Sequence, residues 1–137
     1  MPYCYTGSMG NTKTLGNTGE ALAAQVLQNK GLEVLCSNWH APRQLGLGGE
    51  IDIIALDKAN NVLIFAEVKT RRNQNFGSPA ESVTPAKQAQ LHALSEVYRQ
   101  QHPQLATLDI RFDVIGILYN PATPNTPPLI SHMENAL

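Results

Sequence analysis

The sequence predicts an α/β fold with a mixed central sheet flanked by helices, its elements ordered α-β-β-β-α-β. Three observations predict it. Residues 16–31 and 84–101 carry apolar side chains at helical spacing between cap and stop signals. Residues 32–37, 50–56, 62–69 and 108–119 are short runs rich in Val, Ile, Leu and Phe, bounded by Gly, Asn and Asp, as strands are. The first three runs follow one another closely enough for an antiparallel meander. The long second helix is then a crossover that sets the last strand parallel to a neighbour.

The elements follow in order. Residues 1–15 are rich in Gly, Thr and Asn without periodicity and read as a flexible lead-in. A single domain is expected over 16–137. Its first helix starts near Gly16-Asn17-Thr18, carries a stripe of Ala21, Leu22, Ala24, Val26 and Leu27, and stops at Gly31. Glu20 falls in its first turn, where a carboxylate suits the helix dipole; packed on the sheet, the same helix can point Glu20 toward the strands. A glycine-rich loop, residues 41–49, carries Arg43 and follows His40; it lacks a phosphate-cradling lysine and opens no helix. Thr84-Pro85 is a cap followed by a first-turn proline, and Pro103 closes the second helix. Four prolines in residues 121–128 mark an excursion, after which 129–132 return as an edge strand or a helical turn.

The chain has 137 residues, enough for one domain with a core. Its net charge of -1 excludes a protein that coats polyanions through bulk charge, so any nucleic-acid contact must come from a local patch. Cys4 and Cys36 lack metal-type spacing, and Cys36 reads as a small buried hydrophobe rather than half of a disulfide. No apolar run reaches membrane-spanning length, and Met1–Gly10 has neither a basic nor an apolar leader region, which gives a soluble cytoplasmic protein as the expectation, with no membrane partner.

Charge placement carries the chemistry. Glu50 and Asp52 share one face of the second strand, and Glu67 and Lys69 share one face of the third. Alternating charge is ordinarily the solvated face of an antiparallel sheet. Here Ile54 and Leu56 continue the first charged face, and Leu63 and Phe65 the second, so both are apolar beyond the charges. A tight turn at 57–61 brings the charged ends together. Several carboxylates and an ammonium in one small volume suit a hard divalent cation. Asp113 reads as a further near-site carboxylate or a water-facing strand-entry residue.

The run Asp52…Glu67-Val68-Lys69 resembles the signature of restriction-endonuclease-like nucleases, with Glu20 matching the first-helix glutamate of the Holliday-junction-resolvase branch. Gly19-Glu20, Asn38-Trp39, Gly49 through Ala55, Phe65 through Arg71, Phe76-Gly77 and Arg111 through Ile115 together resemble the YraN-like family of predicted endonucleases, across residues 16–120. Ala66, where valine is common, and His40, where a basic residue often follows the aromatic, depart from the family pattern without touching its acidic set. The resemblance implies a restriction-endonuclease-like core and a Mg2+- or Mn2+-dependent endonuclease. Its catalytic residues would be Glu20, Asp52, Glu67 and Lys69. Asp52 and Glu67 would hold the metal with Glu20 and Glu50, the Val68 carbonyl being a further ligand. Arg71, Arg72, Arg43 and Lys87 would contact nucleic acid, DNA ahead of RNA. Monomer and homodimer stay open, as does a non-catalytic nucleic-acid-binding or adaptor domain on the same fold.

Overall fold

The computed structural model describes Cys4, residues 18–72 and residues 78–137. The rest of the 1–15 lead-in and the Phe76-Gly77 motif lie outside the described residues. Helix α1 spans Thr18–Asn29 and α2 Pro85–Gln101; strands β1 Glu33–Trp39, β2 Ile51–Asp57, β3 Val62–Arg71, β4 Asp109–Leu118 and β5 Leu129–Met133 form one sheet in the order β1-β2-β3-β4-β5. The meander β1-β2-β3 is antiparallel, β4 lies parallel to β3 after the α2 crossover, and β5 returns antiparallel as an edge strand. This is the mixed sheet flanked by helices that the sequence predicts, extended by β5.

Each face of the sheet buries one helix. On the α2 side, Ile51, Ile54, Leu63 and Phe65 meet Leu91, Leu94 and Tyr98. Aromatic rings fix that contact: Tyr98 stands edge-on to Trp39 at 5.3 Å and to Phe65 at 6.0 Å. On the α1 side, Ile53, Ala55, Ile64 and Ala66 meet Ala23 and Leu27. The buried stripe of α1 is thus centred on Ala23 and Leu27, and Ala21 of the expected stripe is exposed. Thr84 caps α2 by accepting from the Lys87 backbone N–H at 3.1 Å. Proline-rich residues 121–127 are exposed, between β4 and β5.

Two expectations are corrected. Cys4 and Cys36 are joined as a disulfide, their Cα atoms 4.9 Å apart. Cys36 is buried as expected, but sequence spacing tests for chelation and carries no information on a bridge, which needs only proximity of the two Cα atoms in space. Asp113 is neither a near-site carboxylate nor water-facing. It is fully buried and bound by Arg111 Nε at 2.9 Å and Nη2 at 3.0 Å, by His132 Nε2 at 2.7 Å and by the Asn135 backbone N–H at 3.0 Å. Burial opposes its charge, yet hydrogen bonds from His132, Arg111 and Asn135 outweigh that and hold its pKa below the ordinary carboxylate value. Asp113 thereby ties β4 to β5 and to the chain beyond it.

Removing that carboxylate leaves a buried imidazole without its anion and a part-buried guanidinium with Glu134 alone. Asp113→Asn is expected to cost about 3–5 kcal/mol in urea unfolding at neutral pH. Because the folded pKa is depressed, the contribution of Asp113 is present above its ordinary value of 3.8 and is lost as pH falls through the folded one. A loss under about 1 kcal/mol would contradict this reading of the cluster.

Candidate metal centre

The site begins where a ladder ends. Strand β2 pairs with β3 from Asp57↔Val62 to Ile53↔Ala66. Continuing that register would set Asp52 directly opposite Glu67, and the ladder stops there. Like charges facing across a sheet repel. The side-chain pattern breaks at the same point: Ile51 and Ile54, three residues apart, both pack on the α2 side, with Ile53 and Ala55 on the other. The Val68 backbone N–H then donates to Asp52 Oδ2 at 2.8 Å. On its other edge β3 remains paired with β4, Glu67 facing Val114 and Lys69 facing Gly116.

Asp52 is 8% exposed and Glu67 6%. Burial, then the charge of Glu67, pushes the Asp52 carboxyl up to about 7, against the pull of the Val68 N–H. Burial also raises Glu67, opposed by Lys87 and Lys69. Glu67 Oε1 is buried with no hydrogen-bond partner, and Lys87 Nζ stands 4.0 Å from it. An ionised oxygen kept dry without a donor is costly in a folded protein.

Two further carboxylates converge on Asp52. Oxygen atoms of Glu20, Glu50 and Asp52 all lie within 4.8 Å of one another. Glu20 arrives because α1 approaches the sheet closely: a Cβ on Gly19 would meet Thr70 Oγ1, which would have to shift. Glu50 is held from both sides, by Asn38 Nδ2 at 2.8 Å and by His40 Nε2 at 3.1 Å. The Asn38 amide also reaches Glu20 Oε1 at 3.5 Å. Behind Glu50, Gln90 Nε2 donates to the Gly48 carbonyl at 2.8 Å and packs so tightly on Gly49, at φ 80°, that a Cβ would come within 2.6 Å of it.

Of the residues singled out from the sequence, Glu20, Glu50 and Asp52 come together; Glu67 acts on Asp52 from the next strand but lies outside that group of three, and Lys69 acts on Glu67 from two positions along β3. Lys87 Nζ stands beside Glu67, its side chain part-exposed. Arg71 lines a cavity of about 440 Å³ beside Ser78, Gly116 and Ser131, and Arg72 a neighbouring one of about 350 Å³ beside Tyr119 and Asn120. Arg43 is exposed on a short 3-10 turn, Arg43–Leu45. Sequence reasoning assigned no role to Asn38 or Gln90. The available signal for Asn38 was its pairing with Trp39 in the family pattern; its φ of 53° is a conformation that asparagine tolerates better than most residues.

The profile of the uncharacterised protein family UPF0102 matches residues 19–117. The chain belongs to this family. Relatives bearing the family's name include one from Paenarthrobacter aurescens (strain TC1), 44% identical over 106 residues, covering 77% of this chain and 81% of the relative. Another, from Dictyoglomus turgidum, is 40% identical over 111 residues, covering 81% and 87%. A third, from Nocardia farcinica, is 38% identical over 128 residues, covering 92% and 91%. The match agrees with the YraN-like resemblance, and it spans every carboxylate of the site. Among the described residues no helix is long and apolar enough to cross a membrane.

The raised Asp52 carboxyl makes metal-free stability pH-dependent. The folded value of about 7 lies above the ordinary 3.8, so the folded state binds the extra proton. Stability from this group is full below about pH 4 and is lost as pH rises to about 7. Relative to the parent, metal-free Asp52→Asn should therefore gain stability across that window, on the order of a few kcal/mol. Parallel urea-unfolding profiles of parent and variant between those pH values would contradict the assignment.

Proposed function

We propose that the chain is a metal-dependent endonuclease that hydrolyses phosphodiester bonds in DNA or RNA, with structured or branched DNA as the first substrates to test. The observation that carries this is the buried Asp52, gathered with Glu20 and Glu50 and flanked on the next strand by the buried Glu67, on which Lys69 acts. The donor set fits Mg2+ or Mn2+, because it consists of carboxylate oxygens and one of them, Glu67 Oε1, is dry and without a hydrogen-bond donor. Asp52 and Glu67 would hold the ion, joined by Glu50 and Glu20 directly or through water. When bound, the ion acidifies water and offsets charge building on the phosphate.

The remaining steps belong to the side chains. Lys69 orients the attacking water or holds a phosphate oxygen, its place beside Glu67 being fixed by the strand. The Asn38 amide bridges Glu20 and Glu50. Arg71 and Arg72, at the end of β3, hold phosphates flanking the scissile bond. With a net charge of -1, affinity rests on these few contacts and falls steeply with salt.

The test is cleavage of branched, nicked and single-stranded DNA, and of RNA, in Mg2+ and in Mn2+. Parent protein should cut at least one of these, and Asp52→Asn should lose at least about a hundredfold in rate, the usual scale for removing one electrostatic element of a site. Binding without cleavage in either metal would replace the nuclease by a non-catalytic nucleic-acid-binding domain. Arg71 and Arg72 changed together to Ala should weaken binding to all sequences alike and flatten its salt dependence; unchanged binding would move the interface elsewhere.

A further inference from the structure

Lys87 offers more than a flanking phosphate contact. Its side chain is 28% exposed, so the ammonium borders both the buried carboxylates and solvent. Its backbone is fixed, because its N–H is bound by the Thr84 cap in the first turn of α2. At 4.0 Å from Glu67 Oε1 the ammonium neutralises without closing a hydrogen bond. Glu50, by contrast, has Asn38 and His40. Asp52 has the Val68 N–H. Glu67 is the carboxylate whose buried oxygen has a nearby cation and no donor.

We propose that Lys87 is the resident counter-ion of the Asp52–Glu67 pair in the metal-free protein, displaced by the incoming divalent cation and then free to take a phosphate oxygen of the nucleic acid. This rests on the metal-site reading above. The reasoning is one of charge. A divalent ion between Asp52 and Glu67 supplies the positive charge that Lys87 supplies in its absence, and the two like charges cannot both sit against Glu67 without repulsion. Lys87 therefore opposes metal binding when no phosphate is present. A bound phosphate gives the displaced ammonium a partner, so metal and nucleic acid each strengthen the binding of the other. Such coupling is reciprocal by linkage. Lys87 thus makes the loaded state depend on substrate, a role distinct from that of Lys69, which lies on the strand itself.

The experiment is a Mn2+ titration by calorimetry, on the folded protein alone and again with a saturating single-stranded oligonucleotide. Lys87→Met and Lys87→Gln remove the charge, Lys87→Arg keeps it, and Lys58→Met is a remote control, since Lys58 pairs with Glu33 on the sheet's far hairpin at 3.0 Å. Without nucleic acid, both neutral variants should bind Mn2+ roughly tenfold more tightly than the parent, within the usual range of coupling between two sites. Lys87→Arg and Lys58→Met should match the parent. With the oligonucleotide, parent affinity for Mn2+ should rise by a larger factor than that of the neutral variants; an equal rise in all would overturn the role of Lys87 in the coupling. Unchanged or weaker Mn2+ binding in both neutral variants, with the parent binding normally, would overturn the role of Lys87 alone; so would an equal gain in Lys58→Met. A parent that binds no Mn2+ would overturn the metal site itself and this inference with it.

Discussion

Two carboxylates facing each other across adjacent strands, in a dry position, are the constraint on which the rest of this structure depends. Asp52 and Glu67 occupy the pair that would follow Ile53↔Ala66, and the β2–β3 ladder ends rather than close over them. The strands on either side are secured by other means. Strand β3 keeps its parallel pairing with β4 along its whole length, and β2 keeps β1 as far as Trp39↔Ile51. Helix α1 is let in by Gly19 and α2 is anchored by Tyr98 against Trp39 and Phe65. The sheet can therefore be opened at one point without loss of its overall shape.

The meaning of that opening is clearest beside Asp113, a carboxylate buried even more deeply. Asp113 receives a guanidinium, an imidazole and a backbone N–H, and its pKa falls despite burial. Asp52 has one backbone donor and a carboxylate neighbour, and its pKa rises to about 7. Glu67 retains an oxygen with no hydrogen-bond partner. All three are buried carboxylates; the supply of positive charge and donors differs. A buried carboxylate fully supplied with donors stabilises the fold, whereas a group of them left short of positive charge favours a proton or a cation. Local instability of this kind is characteristic of sites that bind a ligand.

Much of this arrangement was legible before any coordinates. Strand runs and cap signals placed both helices and the four principal strands, because local propensity and burial agree along those segments. The sequence put Glu50, Asp52, Glu67 and Lys69 at adjoining ends of two strands joined by a short turn, but the period of two fails at that end: Glu50 precedes β2, and Ile51 and Ile54 pack on the same side. What was not legible depends on contacts between segments distant in sequence. The Cys4–Cys36 bridge, the capture of Asp113 by His132 and the placement of Lys87 against Glu67 follow from where Cys4, β5 and α2 lie against the sheet. Asn38 and Gln90 escaped for a related reason. Each works through a hydrogen bond to a group more than ten residues away, which no periodicity records.

The central claim is that the four carboxylates form one cation site, and locating the ion tests it most directly. Crystals of the parent protein soaked in Mn2+, with anomalous scattering recorded at the manganese edge, should show a peak at coordination distance from Asp52 and Glu67, with Glu50 or Glu20 adjacent. The same soak of Asp52→Asn should leave that peak absent or strongly reduced. No anomalous peak at the carboxylates of the parent under saturating Mn2+, or a peak only at some other surface position, would contradict the account.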